Sequence, residues 1–462
     1  MASEKVTLKK ALGFWWLFAI GVGAVVGDGV FTLTGYGVAS AGPSMVLVYI
    51  LVGLSQIFLM VSFGELVVWH PTSGGPEVWV RKLVGWDWGA TSSLLFSIGW
   101  ILAGGSTGLA IGAYTHNFLV HLGFHLQPAD LWITLLAVGW LTLFAWLNVR
   151  GVDVAARTQF ILVLFLVGSV VAYAAAVTPH VAAANYRPFM PNGLAGSFSA
   201  VPVAVYAFMG ASTVLFASEE ARDPVDVARV LLWSSITFVT VYTWALFAAV
   251  GTVPHGEVEK FLESLYVTSA NRVYGPVFAN VLNAAAWTAA ATCLLMGTIY
   301  QPPRDLYNLA RSGYGVPSWM GELHRRYRTP FRNIWLVWGL AVILVLWGQA
   351  AGQTMIYQLL SYEVVWVWCV SWVLTLRAAF AFRSRCAEEA AALPWKVPLW
   401  PLTPLVGAVG IGLCLCALFQ DLNRSYGLRV TLVFFIVSVA LVFLVRQFVT
   451  LIKPKEPVAE EI

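Results

Sequence analysis

The chain has 462 residues, 59% of them hydrophobic and only 11% charged, a balance far from that of water-soluble domains. Apolar runs of about 20 residues recur along its length, as membrane helices require, and this excludes a soluble enzyme or a disulfide-framed secreted domain. The net charge of +4 has its source in loop asymmetry and says nothing about nucleic acid.

Twelve spans are expected, roughly at 11–39, 42–69, 87–119, 130–149, 157–179, 197–220, 230–253, 276–302, 331–350, 355–380, 397–420 and 426–449. With the N-terminus placed inside, 22 of the 27 Lys and Arg residues fall on the inner side and 5 on the outer. That bias obeys the positive-inside rule and predicts cytoplasmic termini, most simply in the cell membrane. The fold class expected is therefore an all-α polytopic membrane protein with about 12 transmembrane helices. The segments 1–10 and 450–462 read as short cytoplasmic tails, without a cleavable signal peptide or an inserted soluble domain. Cys293, Cys369, Cys386, Cys414 and Cys416 show neither metal-ligand nor disulfide spacing and read as packing residues.

The first span carries the most informative stretch, Gly21-Val22-Gly23-Ala24-Val25-Val26-Gly27-Asp28-Gly29-Val30-Phe31. Each glycine weakens a helix by about 1 kcal/mol relative to alanine. A break here would expose amide N–H groups at the positive end of the following half-helix. Discontinuous-helix transporters hold anionic groups that way. Asp28 stands inside the expected break, and an ionisable residue at membrane depth points to function.

Span 6 repeats this pattern. Pro202 precedes Tyr206-Ala207-Phe208-Met209-Gly210-Ala211-Ser212-Thr213, and the span leaves through Glu219-Glu220-Ala221-Arg222-Asp223-Pro224. Two interrupted helices five spans apart suggest inverted repeats, 11–180 against 197–380, followed by two further helices at 397–449. A ligand would then sit between spans 1 and 6. Gly210 taken alone reads equally well as a close-packing residue.

Other polar residues in the spans rank lower. Glu363, beside Tyr362 in span 10, reads either as a gate or proton-route residue or as a residue near the external mouth. Glu65 and Glu77 fall at span ends, where solvation is the simpler reading. His121 and His125 are spaced i,i+4 near His116, but no carboxylate or cysteine completes a metal set, so no metal is expected.

Taken together, these motifs resemble the amino acid–polyamine–organocation transporter superfamily. Gly27-Asp28-Gly29-Val30-Phe31 is similar to its Gly-Ser-Gly-Ile-Phe break, followed by Ala41-Gly42-Pro43. Phe63-Gly64-Glu65-Leu66 and Pro71-Thr72-Ser73-Gly74-Gly75 resemble the end of span 2. Asn148-Val149-Arg150-Gly151 resembles the start of span 5, and Phe208-Met209-Gly210 with the Glu220-to-Pro224 exit resembles span 6. Arg304 and Leu309-Ala310-Arg311-Ser312-Gly313, with Pro317 and Thr329-Pro330, resemble the loop after span 8. The likeness covers residues 10–335 approximately.

The resemblance implies a five-plus-five inverted-repeat (LeuT-like) fold and a secondary transporter of amino acids or related amines working by alternating access. It implies amide donors for a substrate carboxylate near Val26, Gly27, Asp28 and Gly29. Carbonyls around Gly21 to Gly23 and Ala207 to Gly210 would receive the ammonium, with Phe208 as an aromatic wall or gate and Ser212 just beyond. No cofactor is implied; coupling to H+ or Na+ is left open. Asp28 departs from the family's small neutral residue, Ser212 stands where many members carry glutamate, and Leu166 stands where several carry lysine.

Asp28 then has three readings. Ionised, it would attract an amine, giving a polyamine or organocation transporter or exchanger. Protonated, it could share the amides with a carboxylate and serve as a proton site. As a helix cap, it would accept its own N–H groups. A membrane enzyme finds no HExxH in the chain, a transporter-fold amino acid sensor would usually carry a large soluble extension, and a channel would give unsaturable flux.

Overall fold

The computed structural model describes residues 8–25, 27–121, 123–260, 262, 265–351 and 353–452. The first span is interrupted: helix α1 (Phe14–Val25) is followed by α2 (Asp28–Thr32) and α3 (Thr34–Ala41). After a Pro43-containing turn come α4 (Met45–Ser62) and α5 (Gly64–Trp69), then α6 (Pro76–Leu83), started by its proline, and α7 (Trp86–His121). Helix α7 has 36 residues, about 54 Å of rise and enough to cross a bilayer at a tilt. Next come α8 (Ala129–Arg150) and α9 (Val152–Val177).

The sixth span is interrupted as well. Helices α10 (Gly193–Ser199) and α11 (Val201–Phe208) lead to an opened backbone at Met209 and Gly210, then to the 3₁₀ segment Ala211–Glu220. Asp223 caps α12 (Pro224–Thr252) by accepting from the Val225 N–H at 2.9 Å, with Pro224 in the first helical position. The short α13 (His255–Val258) and α14 (Leu265–Tyr274) precede α15 (Pro276–Cys293), which runs through one π turn, Leu294–Thr298, toward α16 (Gln301–Arg311). Helices α17 (Phe331–Ala351), α18 (Gln353–Arg385), α19 (Ala387–Ala392) and α20 (Leu402–Leu451) complete the chain. Helix α20 is bent at Gly427, whose φ of +80° suits a residue without Cβ.

Ten stretches of the described residues are long and apolar enough to cross a membrane, with Phe14–Val25 as a shorter apolar helix beside them. The protein is all-α and largely membrane-spanning, with two broken helices. The interior is built around those two: α1 packs on α9, α12 and the segment Ala211–Glu220, and α11 packs on α4. Helix α20 lies at the periphery against α4, α7 and α18, with its leucines and valines exposed as a lipid-facing surface requires.

The π turn in the eighth span has an identifiable partner. A π turn leaves the regular hydrogen-bond ladder, and Asn148 donates from Nδ2 to the Leu295 carbonyl at 2.8 Å and to Phe144 at 3.1 Å. Gly297 supplies the space beside it, because a Cβ there would come within 2.2 Å of the Trp100 ring. Asn148 thus ties the end of α8 to the distorted helix flanking the central cavity. We predict that Asn148→Leu destabilises the protein by about 1–3 kcal/mol, the cost of a buried acceptor losing its partner. Thermal unfolding of the purified protein measures this, and an unchanged midpoint would show that the bond is dispensable.

Candidate functional site

Two helix breaks define the site. At the first, Gly27 is extended (φ −99°, ψ −174°) and its N–H donates to the Val25 carbonyl at 2.8 Å. At the second, Met209 is extended and Gly210 lies at φ +114°, a region that L side chains rarely adopt. The breaks are in direct contact. A Cβ on Gly210 would fall 2.1 Å from the Ala24 carbonyl oxygen and 2.9 Å from the Val25 nitrogen. The absent side chain of Gly210 therefore makes room for the backbone of the first span, rather than for a ligand.

Beside this contact lies a cavity of about 30 Å³, room for roughly two waters and too small for an amino acid. Ala24, Val25, Gly27 and Gly29 line it from the first span, and Tyr206, Ala207 and Met209 from the sixth. The remaining walls are Trp100 and Ala103 of α7, Cys293 of α15, and Val364 and Trp368 of α18. Trp100 and Trp368 meet edge to face at 5.0 Å between ring centres, which fixes both indoles by packing. Among the described side chains, which do not include that of Asp28, none that is charged lines the cavity.

The expected site residues divide into three groups. Gly27, Gly29 and Ala207 line the cavity. Gly21 and Gly23 lie on α1 with their open sides turned elsewhere: a Cβ on Gly21 would meet Ser234 at 3.0 Å, and one on Gly23 would meet the Gln159 amide at 2.0 Å. Phe208 stacks on Phe238 and Tyr242 and meets Tyr49 edge-on, at 5.7, 6.0 and 5.0 Å between centres, so its ring belongs to the packing of α4 and α12. Ser212 is fully buried with its hydroxyl unpartnered. Asp28 opens α2, and Val26 lies outside the described residues.

Glu363 accepts from Ser438 at 2.5 Å, which turns it toward the last helix while its neighbour Val364 lines the cavity. Leu166 is buried and lines a small void of about 10 Å³ with Val22, Val170 and Tyr242. His116 pairs with the Leu126 carbonyl at 3.1 Å, and His125 is exposed. Trp100, Cys293, Val364 and Trp368 escape sequence reasoning, because nothing in their own spans marks them. Their signal is three-dimensional: each faces one of the two breaks.

Contacts flank the cavity on both sides. Toward the face carrying residue 8, the carboxylate of Glu220 is held by Arg304 through Nε at 2.8 Å and Nη2 at 2.9 Å, and by the Tyr300 hydroxyl at 2.5 Å. The pair is 1% exposed on both partners. The Glu220 carbonyl accepts from the Ala11 and Leu12 N–H groups at 3.0 Å each, and the Leu12 carbonyl accepts in turn from the Arg222 N–H. A second carboxylate, Glu77 on α6, is fully buried; it accepts from Arg81 Nε at 2.8 Å and from the Asn308 amide at 2.5 Å. Burial pushes the Glu77 carboxyl above its ordinary range, against the opposing pull of Arg81 and Asn308. Glu65 is paired with Arg383. Neither Glu65 nor Glu77 is a solvated end residue. The sequence-based expectation is corrected here, because the fold buries each carboxylate against a cationic partner.

On the opposite face the chain before α14 covers the first span. A Cβ on Gly35 would meet the Leu262 carbonyl oxygen at 1.9 Å, and Phe31 meets Tyr266 edge to face at 5.8 Å. Thr34 and Tyr49 share a hydrogen bond of 2.6 Å beneath it.

A membrane protein with two broken helices touching at a small cavity, flanked by separate contacts on either side, has the architecture of a carrier rather than of a catalyst. The sequence model of the family described as Amino acid permease matches residues 17–462, and the chain belongs to that family, within the amino acid–polyamine–organocation superfamily. It is a polytopic membrane transporter and not an enzyme. Among curated relatives, the branched-chain amino acid permease BcaP of Bacillus subtilis (strain 168) is 26% identical over 74% of this chain and 76% of its own length. The amino-acid permease RocC of the same organism is 24% identical over 93% of each chain. The L-asparagine permease of Escherichia coli (strain K12) is 24% identical over 98% of this chain and 92% of its own.

We predict that Arg304→Ala or Glu220→Ala costs about 3–5 kcal/mol, since either leaves an unpaired buried charge. The double variant Glu220→Met with Arg304→Met should cost less than either single change. Thermal unfolding in detergent reads both; a double-variant loss equal to the sum of the two single losses would deny the coupling. Gly210→Ala is expected to abolish folded expression, because its Cβ meets backbone at a positive φ, and a normally purifying variant would contradict this geometry.

Proposed function

We propose that the protein is a secondary active transporter that carries neutral amino acids with apolar side chains by alternating access. The observation that carries this reading is the set of apolar residues around the cavity where the two breaks meet: Val25, Met209, Val364, Trp100 and Trp368 offer an apolar surface to a side chain. Relatives from Bacillus subtilis and Lactococcus lactis, both named as branched-chain amino acid permeases, agree with that chemistry.

In this reading the substrate carboxylate is held by amides near Val26, Gly27, Asp28 and Gly29, at the start of α2. The ammonium is held by carbonyls around Gly21 to Gly23 and Ala207 to Gly210. The opened backbone supplies these groups. Splitting the chain at Gly42 and at the Gly427 bend gives twelve crossings, arranged as 11–180 and 197–380 in inverted repeat, with 397–449 as two added helices. The excess of Lys and Arg on the N-terminal side supports cytoplasmic termini, and the cell membrane is the natural location. The closed cavity corresponds to an occluded state, in which substrate entry requires the site to expand.

A second reading, in which the substrate is an amine or polyamine, rests on Asp28 at the first position of α2. A thermal-shift screen of the purified protein separates the two. Leucine, isoleucine, phenylalanine, lysine, asparagine and putrescine are tested singly, followed by uptake in proteoliposomes. A ligand at a hundred times its Kd stabilises the native state by about 2.7 kcal/mol. Leucine-like ligands are expected to raise the unfolding temperature and to be transported with saturation. Stabilisation by putrescine alone would establish the second reading, and transport of sugars or inorganic anions alone would sink both.

Asp28→Asn tests the role of the carboxylate. If Asp28 pairs with the substrate cation, affinity falls by about 2–5 kcal/mol. If it is the proton site, binding and exchange persist while pH-driven accumulation is lost. If it caps α2, both survive with a stability loss of roughly 1 kcal/mol. We expect one of the first two outcomes.

A further inference from the structure

We propose that Asp305 on α16 binds and releases a proton that couples transport, at a site apart from both helix breaks and from Asp28. This rests on the secondary-transport reading above. Asp305 is fully buried, within the stretch Pro276–Arg311 that is long and apolar enough to cross a membrane. Its carboxylate accepts from Ser93 Oγ at 2.8 Å and from Ser97 Oγ at 2.5 Å, both on α7. Glu65, Glu77 and Glu220 each have an arginine beside them. Among the described residues Asp305 has none.

The ionisable groups on the elements packed against α16 are engaged elsewhere. Arg304 is bound to Glu220, Arg311 to Glu219, and Arg332 of α17 to Glu322. Glu77, bonded to Asn308 one turn along α16, is matched by Arg81 and brings only like charge. Asp87 of α7 is held by Arg446, and the other ionisable groups of α7 begin at Tyr114, about 25 Å further along the helix. Tyr300 donates to Glu220, and Tyr307 lies beneath Arg311. The segments Leu294–Thr298 and Ser318–Gly321 carry no ionisable side chain. Two hydroxyl donors offset only part of the cost of holding a carboxylate out of water. A proton is the counter-charge that fits. It adds no volume, and the protonated acid donates to one serine oxygen while accepting from the other hydroxyl. The direct hydrogen bonds leave no space for a metal ion between the carboxylate and the two serines.

The same helix pair leads to the substrate cavity. Ser93, Ser97 and Trp100 share one face of α7, and Gln301 and Asp305 are one turn apart on α16. Trp100, a wall of the cavity, donates from Nε1 to Gln301 Oε1 at 2.7 Å, and Thr213 of the sixth span donates to that oxygen at 3.1 Å. Arg304, next to Asp305 in the chain, holds the Glu220 contact. The seam between α7 and α16 therefore joins the cavity wall to one of its flanking contacts. With Asp305 protonated the seam stays dry and joined. Parting it admits water, the carboxyl ionises, and the proton leaves to that water. Rejoining the seam takes up one proton, so the cycle of the cavity and the cycle of the proton are linked.

The test uses infrared difference spectroscopy of the full chain in phosphatidylcholine nanodiscs, without substrate. At neutral pH the carbonyl stretch of a protonated carboxyl group is expected in the wild type and in Asp28→Asn, and is expected to be missing from Asp305→Asn. Asparagine keeps the size of the protonated acid with one acceptor and a donor, so this variant should purify normally. Identical carboxyl bands in the wild type and Asp305→Asn at every pH tested overturn the proposal. Loss of the band on adding Na+ also overturns it, since the site would then belong to the metal ion. In proteoliposomes the ratio of pH-driven leucine accumulation to leucine exchange is expected to fall about tenfold or more in Asp305→Asn. An unchanged ratio overturns the coupling role. Absence of any leucine flux in the wild type, with the band as stated, counts against the substrate assignment and not against Asp305; the ratio is then read with lysine and with putrescine.

Discussion

The rest of the structure depends on one contact, the approach of Gly210 to the Ala24 carbonyl. Backbone polar groups opened inside a membrane must be matched from within the protein. Here the two openings are packed directly against each other, and this is possible only because Gly210 has no side chain and accepts φ +114°. The surrounding helices then have a fixed core to enclose. Gly21 and Gly23 let α12 and α9 close on α1 through Ser234 and Gln159, and Phe208 anchors the other half-helix on Tyr49, Phe238 and Tyr242. Tight packing and opened backbone are thus two uses of the same small residues.

The polar interactions are placed away from this centre. Glu220 with Arg304, Glu77 with Arg81, and Glu65 with Arg383 lie toward the face carrying residue 8. The cavity itself is lined by apolar groups and backbone. A carrier has to break its closing contacts in every cycle, so interactions costly in isolation are useful where they are paired only in one state. Buried ion pairs supply such discrete contacts, whereas the apolar cavity tolerates expansion and collapse without leaving charges unmatched.

The first helix break is legible in the sequence because clustered glycine inside an apolar run weakens the helix, and the second because Pro202 and Gly210 interrupt the span five spans later. The spans are legible because hydrocarbon thickness sets their length. The walls of the cavity are not. Trp100 and Trp368 look like any two of 22 tryptophans, and only the crossing of α7 and α18 brings them face to edge. Phe208 illustrates the opposite error: its position in the break suggests a wall, but its ring is turned into α4 and α12. Glu65 and Glu77 read as solvated ends because two of their partners, Arg383 and Asn308, are more than 200 positions away in the chain. Asn148 is recognisable only as part of a motif, and its use as a donor to a π-turn carbonyl requires the fold.

The bridge between Leu12 and Ala221 has a consequence for spectroscopy. Ala11 and Leu12 are bonded to Glu220, and Arg222 to Leu12, so the chain ahead of the first span is fastened to the outlet of the sixth. A fluorophore attached at residue 1 is about ten residues from that anchor, a reach of at most roughly 35 Å. Energy transfer from such a label to an acceptor on α20 reports the movement of the sixth span together with the first, and never of the first alone. Separating the two motions optically calls for a donor placed beyond the break, on α3.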